Sequence, residues 1–190
     1  MNHYASDDDK RQDHSYTHRA KIIVVGDAAV GKTSLIVRYV KGVFNPGYII
    51  TLGVNFFSQD VTILDKTLRY IIWDTAGQER FGPVRKKYYL GARGALLVFD
   101  LTNLQSFEHL DFWVKEIEGI CGEIPVLLVG NKADLTPVVK QSAIQEYATL
   151  HNMTYVETSA KTGMNSIRPF FLLAPLILGE LNRAGRTHQF

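Results

Sequence analysis

Two glycines, a lysine and a threonine stand at the spacing G-x-x-x-x-G-K-T in Gly26-Asp27-Ala28-Ala29-Val30-Gly31-Lys32-Thr33. This spacing suits a polyphosphate. The glycines permit a tight turn in which the backbone N–H groups of Ala29, Val30, Gly31, Lys32, Thr33 and Ser34 can point inward, and the helix that follows adds its positive N-terminal end. Lys32 reaches the β- and γ-phosphates as a point charge. The Thr33 hydroxyl is a hard oxygen donor of the kind Mg²⁺ takes. The competing reading is a glycine-rich strand-to-helix turn with an ordinary surface lysine.

Asp74-Thr75-Ala76-Gly77-Gln78 adds an acid that can hold Mg²⁺ through a water, a glycine whose N–H can approach a γ-phosphate, and a glutamine able to orient an attacking water. By itself D-x-x-G is also a common turn. Asn131-Lys132-Ala133-Asp134 offers a carboxylate that guanine satisfies with N1–H and its 2-amino group, a donor pair adenine lacks. Ser159-Ala160-Lys161 completes the set. The Ala160 N–H can donate to guanine O6, Ser159 can brace Asp134, and the alkyl stems of Lys132 and Lys161 can lie along the base.

Chemistry of this kind needs rigid placement. Apolar runs and helical periodicity predict strands over 20–25, 54–64, 67–73, 94–100, 125–130 and 154–158, and helices over 32–41, 83–90, 103–118, 142–151 and 166–182. Each motif stands at the end of an expected strand. Only Asp65-Lys66 separates the second strand from the third, which makes a hairpin, while the other connections are long enough for helical crossovers. The fold class is α/β: a P-loop three-layer sandwich, with a six-stranded mostly parallel sheet, one antiparallel edge strand and about five helices. In such a sheet ligands bind at the carboxyl ends of the strands. Leu96 to Phe99 and Val126 to Val129 read as central strands buried on both faces, and Phe107, Leu110, Val114 and Ile117 as the core side of a helix. Ser142-Ala143-Ile144-Gln145 reads as a capping box.

The 190 residues divide into a disordered polar tail over 1–19, one domain over 20–182 and a short tail over 183–190. A net charge of +2 carries no global nucleic-acid footprint. The single cysteine, Cys121, excludes an internal disulfide framework and fits a reducing compartment. Met1 to Ala20 has no secretory apolar core, Asn2 excludes N-myristoylation, and Thr187 to Phe190 has no cysteine to prenylate, so a cytoplasmic protein without intrinsic lipid anchor is expected.

The four motifs in this order resemble the small GTPases of the Ras superfamily, and Trp73 to Phe81 looks most like the Rab branch, over about Ala20 to Leu181. The resemblance implies a Mg²⁺-dependent switch that binds and hydrolyses GTP, in trafficking-type regulation, with effectors, an exchange factor and a GTPase-activating protein as partners. Under it Thr51 is the first-switch threonine over Mg²⁺ and the γ-phosphate, Phe44 packs edge-on against guanine, and the switch segments fall near 42–56 and 74–88. Catalysis then rests on Gln78, Lys32, Thr51 and Gly77, with Thr33, Thr51 and, through water, Asp74 around the metal. Phe56, Trp73 and Tyr88 match an aromatic triad that reports the switch state to effectors; plain core packing is the other reading. Rival classes are a GTP-locked binding module and a P-loop kinase, the second opposed by the base-reading set.

Some stretches depart from the resemblance. Ala28 and Ala29 stand where Ras itself has glycines, which speaks against a Ras-type activator arginine. Arg85-Lys86-Lys87 replaces a mostly uncharged stretch and reads as a solvated face, or as a surface for an acidic partner. In the last helix Ile167, Phe170, Ala174, Ile177, Leu178 and Leu181 form one stripe at 100° per residue, leaving Leu172 and Leu176 opposite as an outward contact patch or as leucines rolled inward by a kink at Pro175.

Overall fold

The structure is a computed structural model that describes residues 18–47, 51, 53–63, 65–77 and 82–187. Up to residue 17 the expected N-terminal tail lies outside the described residues. The described elements run β1 His18–Val25, α1 Lys32–Lys41, β2 Val54–Ile63, β3 Lys66–Thr75, α2 Gly82–Tyr89, β4 Gly94–Asp100, α3 Leu104–Glu108, α4 Leu110–Cys121, β5 Val126–Asn131, α5 Gln141–Leu150, β6 Thr154–Glu157 and α6 Arg168–Thr187. The sheet order is β2-β3-β1-β4-β5-β6, with β2 antiparallel to β3 and every other pair parallel. Chain order reverses about β1, so its carboxyl end opens onto the crevice where ligands sit in open α/β sheets.

Continuous apolar runs make the central strands: Ile22 to Val25 and Ala95 to Phe99 have no solvent exposure. One face packs on α1 and α6 through Leu35, Ile36, Phe170 and Leu173. The other packs on α2, α4 and α5 through Tyr89, Trp113, Ile117 and Ile144. The helix expected over 103–118 is broken at His109, whose Nδ1 reaches Asp27 Oδ1 of the 26–33 loop at 2.8 Å. Asn103 caps α3 by accepting from the Gln105 N–H. The expected capping box at Ser142 is not formed. The N–H groups of Val138 and Val139 are fixed on Leu101 O, the chain turns into α5 at Lys140, and Ser142 falls within the helix.

The last helix buries a different arc from the expected one. Phe170, Leu173, Ala174, Ile177 and Leu178 are buried, but Ile167, which precedes the first turn, is exposed. Leu172, placed outward by the sequence pattern, packs against the core, because α6 spans β2 as well as β4 and β5. Leu176 is 43% exposed, so the expected two-leucine patch reduces to Leu176 with Phe171 nearby in sequence. Arg85 is also a correction: only 1% of its side chain is exposed, and it forms a two-pronged ion pair with Glu116 of α4 at 2.7 Å. Lys86 and Lys87 alone carry the solvated face. Among the described residues no helix is long and apolar enough to cross a membrane.

Candidate functional site

The loop after β1 has the backbone that its glycines and alanines allow. Gly31, at φ 96°, ends it as the cap of α1. A Cβ on Gly31 would overlap Asn131 Nδ2, so this position requires glycine for space as well as for angle. Ala29 holds a left-handed φ of 64° without being glycine, a conformation that costs about 1 kcal/mol. The buried Lys32 ammonium donates to Gly26 O at 2.7 Å and Asp27 O at 2.6 Å. Burial pushes its pKa down to about 8, against the nearby Asp74 and Asp27 carboxylates and with a smaller push from Arg85. Val30 is buried, and Ser34 is the third residue of α1.

Beside this loop three oxygen-bearing side chains converge from three elements. Thr33 Oγ1 donates to Asp74 Oδ2 at 2.5 Å and lies 2.8 Å from Thr51 Oγ1. Asp74 has no solvent exposure, and its Oδ1 is a buried acceptor without a hydrogen-bond partner. Burial raises the Asp74 pKa, opposed by the Thr33 hydroxyl, Lys32 and Asn55. Two hydroxyls and an unsatisfied carboxylate oxygen are a hard donor set that fits Mg²⁺. Gly77 packs so tightly that a Cβ would meet Gly26 O and Lys32 Nζ. Gln78 lies outside the described residues.

The Asn131-to-Asp134 and Ser159-to-Lys161 turns meet at the ends of β5 and β6. Asn131 Nδ2 donates to Val30 O at 2.9 Å, and its Oδ1 accepts from Thr158 Oγ1 at 3.1 Å and from the Ala160 N–H at 3.3 Å. Asn131 is thus the brace between the 26–33 loop and the 158–161 turn. Ser159 Oγ donates to Asp134 Oδ1 at 2.6 Å, and this bond holds the Asp134 pKa below its ordinary value. Lys161 Nζ stands 3.7 Å from Asp134 Oδ2, while Lys132 Nζ is drawn to Asp100 Oδ2 at 2.6 Å. Lys132 also takes a left-handed φ of 66°.

Two hollows lie side by side over these groups. One, of about 220 Å³, is lined by the 28–34 loop, Phe44, Thr51 and Gly77. The other, of about 240 Å³, is lined by Phe44, Asn131, Lys132, Asp134, Ala160 and Lys161. Ala29, Gly31, Ser34 and Phe44 line both, so the two form one elongated cleft. A larger hollow of about 1040 Å³ lies at the opposite ends of β5 and β6, between α4 and α6, away from every motif. The chemistry decides for the smaller pair. The structure therefore brings together every expected site residue it describes.

Asp27, Asn55, Thr158 and Arg38 also belong here and were missed. Asp27 Oδ1 accepts from Trp113 Nε1 at 2.7 Å and meets His109. For Thr158 the available signal was a hydroxyl next to Ser159; Asp27, Asn55 and Arg38 have partners far along the chain, which no local pattern indicates.

Outside the cleft, Phe56 and Trp73 meet edge to face at 4.4 Å, and Tyr88 lies 5.8 Å beyond Trp73. Trp73 and Tyr88 pack against the core while Phe56 is 56% exposed, so the three make a continuous aromatic surface and not a closed core cluster. Lys21 Nζ sits 3.7 Å over the Trp73 ring.

A family model described as the Ras family matches residues 21–178. The chain is 40% identical over 181 residues to the Ras-related protein Rab-13 of Canis lupus familiaris, covering 92% of this chain and 89% of that protein. It is 41% identical over 175 residues to Rab-13 of Bos taurus, covering 90% and 85%, and 40% identical over 174 residues to the Ras-related protein Rab-2B of Dictyostelium discoideum, covering 90% and 86%.

Proposed function

The chain belongs to the Ras family of small GTPases and to its Rab branch, and on that premise we propose how the cleft described above binds and turns over GTP. The protein is a GTP-binding and GTP-hydrolysing switch of the trafficking type. One observation carries the assignment of its residues: Asn131 Nδ2 bonds Val30 O at 2.9 Å, joining the base-reading turn to the phosphate loop, so one nucleotide spans both hollows.

In this reading Asp134 accepts from guanine N1–H and the 2-amino group, Ala160 N–H donates to O6, and Phe44 and the stems of Lys132 and Lys161 flank the ring. The amides of Ala29 to Ser34 and the Lys32 ammonium bind the phosphates. Thr33 and Thr51 would hold Mg²⁺ through their hydroxyls, and Asp74 would support it through water. When bound, the ion screens charge on the phosphoryl oxygens. Gly77 brings its N–H to the γ-phosphate and Gln78 orients the water for in-line attack. Loss of the γ-phosphate then frees Thr51 and Gly77, and with them the segments 42–56 and 74–88. Effectors would read this change at Phe56, Trp73 and Tyr88, and an exchange factor and a GTPase-activating protein would set its timing.

No arginine lies between Lys41 and Gln59, so the first switch supplies no arginine in cis, and the unassisted rate falls at roughly 10⁻⁴ to 10⁻³ per second. Single-turnover release of phosphate from γ-labelled GTP measures this. Turnover near one per second by the protein alone, or equal competition by ATP, would overturn the assignment. Gln78→Leu should slow the step further and leave GTP affinity nearly unchanged.

A further inference from the structure

Arg38 projects from the last full turn of α1, and its guanidinium is bonded on three sides. Nε donates to Ala160 O at 2.8 Å, Nη2 to Lys161 O at 2.6 Å, and Nη1 to Gly42 O at 2.7 Å. The first two carbonyls belong to the turn whose Ala160 N–H faces guanine O6 in the reading above. The third belongs to the left-handed cap of α1, two residues before Phe44. One rigid fork therefore ties the helix that begins at Lys32 and Thr33 to the turn that reads the base. Opposing it on the same turn, Asn131 Oδ1 holds the Ala160 N–H through a long bond of 3.3 Å, too weak to fix the amide alone.

We propose that Arg38 is a positioning residue for guanine recognition: it fixes the Ala160–Lys161 backbone so that the Ala160 amide meets the base at O6. The role needs the planar, multidonor head of arginine. A lysine ammonium in its place is a single point on a flexible stem and cannot reproduce the fixed spread of these three donors. Arg38 touches neither base nor phosphate in this arrangement and acts only through the turn. The neighbouring Lys41 is exposed, shares the helix end and its charge, and has no such contacts among the described residues, which makes it the control.

The proposal rests on the guanine assignment, and its test separates the two. Dissociation constants are measured by competition for GDP and for 6-thioguanosine 5′-diphosphate, which keeps N1–H and the 2-amino group but carries sulfur, a weak acceptor, in place of O6. Arg38→Ala should weaken GDP binding by about tenfold or more and binding of the thio nucleotide by less than about threefold, so that discrimination between them collapses. Arg38→Lys should lose most of that discrimination, and Lys41→Ala should keep all of it. If Arg38→Ala unfolds, Arg38→Lys decides by the same ratio. Equal losses for both nucleotides, or none, would mean that Arg38 only supports the fold and would overturn the proposal. A parent protein that binds both nucleotides equally would overturn the O6 assignment itself.

Discussion

The hydroxyl oxygens of Thr33 and Thr51 lie 2.8 Å apart, although 18 positions of chain separate them. Thr33 is fixed by α1 and by its bond to Asp74 at 2.5 Å, so this contact holds Thr51 at the phosphate hollow, which Phe44, Asn45 and Pro46 also line. Ala76 N–H donating to Gly53 O at 3.1 Å supports the same closure from the second switch segment. Under the proposed function the same Thr51 hydroxyl would also be a metal oxygen.

Thr51→Ala should lower the single-turnover hydrolysis rate at least tenfold, and raise the Mg²⁺ concentration needed for half-maximal rate with GTP. Affinity for GDP should change less than about threefold, because base and α,β-phosphate contacts are untouched. A Mg²⁺ titration of the rate, with GDP binding measured beside it, checks the split. Equal loss of GDP and GTP binding would contradict it.

Acid sensitivity of binding should trace to Asp134. The hydrogen bond from Ser159 Oγ lowers its pKa, so the carboxylate remains an acceptor down to a pH below the ordinary aspartate range. The sign follows: a depressed pKa gives a contribution present at neutral pH and lost as pH falls through the folded-state value. Ser159→Ala removes the first cause of the shift and should move the acid limb of guanine-nucleotide affinity to higher pH. The ratio of variant to parent affinity, followed with fluorescent GDP between about pH 4 and 7, cancels titration of the phosphates. A ratio flat across that range would refute the coupling.

The residues proposed to meet phosphate and base stood out because each motif is local: a strand end, a turn, and side chains within a few positions; Thr51 and Phe44 sit in no such pattern and were placed only by the resemblance. The parallel sheet was legible for the same reason, since runs such as Leu96 to Phe99 have one reading when no polar residue interrupts them. What could not be read depends on distant partners. Arg85 looked like one member of a charged run, and only the fold brings Glu116 of α4 within 2.7 Å and the Trp113 ring within 4.8 Å. His109 looked like a position inside one long helix until its bond to Asp27 split α3 from α4. Leu172 was misplaced because helical periodicity gives the centre of a buried arc and not its width, which is set here by β2.

The Arg85–Glu116 pair joins α2 to α4 under the second switch and is almost dry on the arginine side, at 1% and 15% exposure. Removing one member leaves the other charge buried without its partner, at a cost of about 3–5 kcal/mol, whereas replacing both by apolar residues can be nearly neutral. Arg85→Leu alone or Glu116→Leu alone should therefore lower the thermal midpoint of the GDP-bound protein by many degrees, and the two together should recover much of it. Thermal unfolding of the two single variants and the double variant gives the coupling directly. Additive losses would show that the pair is incidental.

Leu172 and Leu176 test the revised geometry of α6. They lie four positions apart on one helix, yet Leu172 packs against β-sheet core residues and Leu176 is 43% exposed beside Gly179 and Glu180. A carboxylate at 172 would need desolvation or would open the helix from the sheet, so Leu172→Glu should cost about 2–4 kcal/mol. At 176 the same change meets water and should fall within about 0.5 kcal/mol. Urea unfolding with GDP in excess measures both on one scale. If Leu176→Glu proved as destabilising as Leu172→Glu, α6 would be rolled further inward than the structure has it. If neither destabilised, Leu172 would face solvent, and the outward two-leucine patch that helical periodicity alone suggests would be restored as a contact surface.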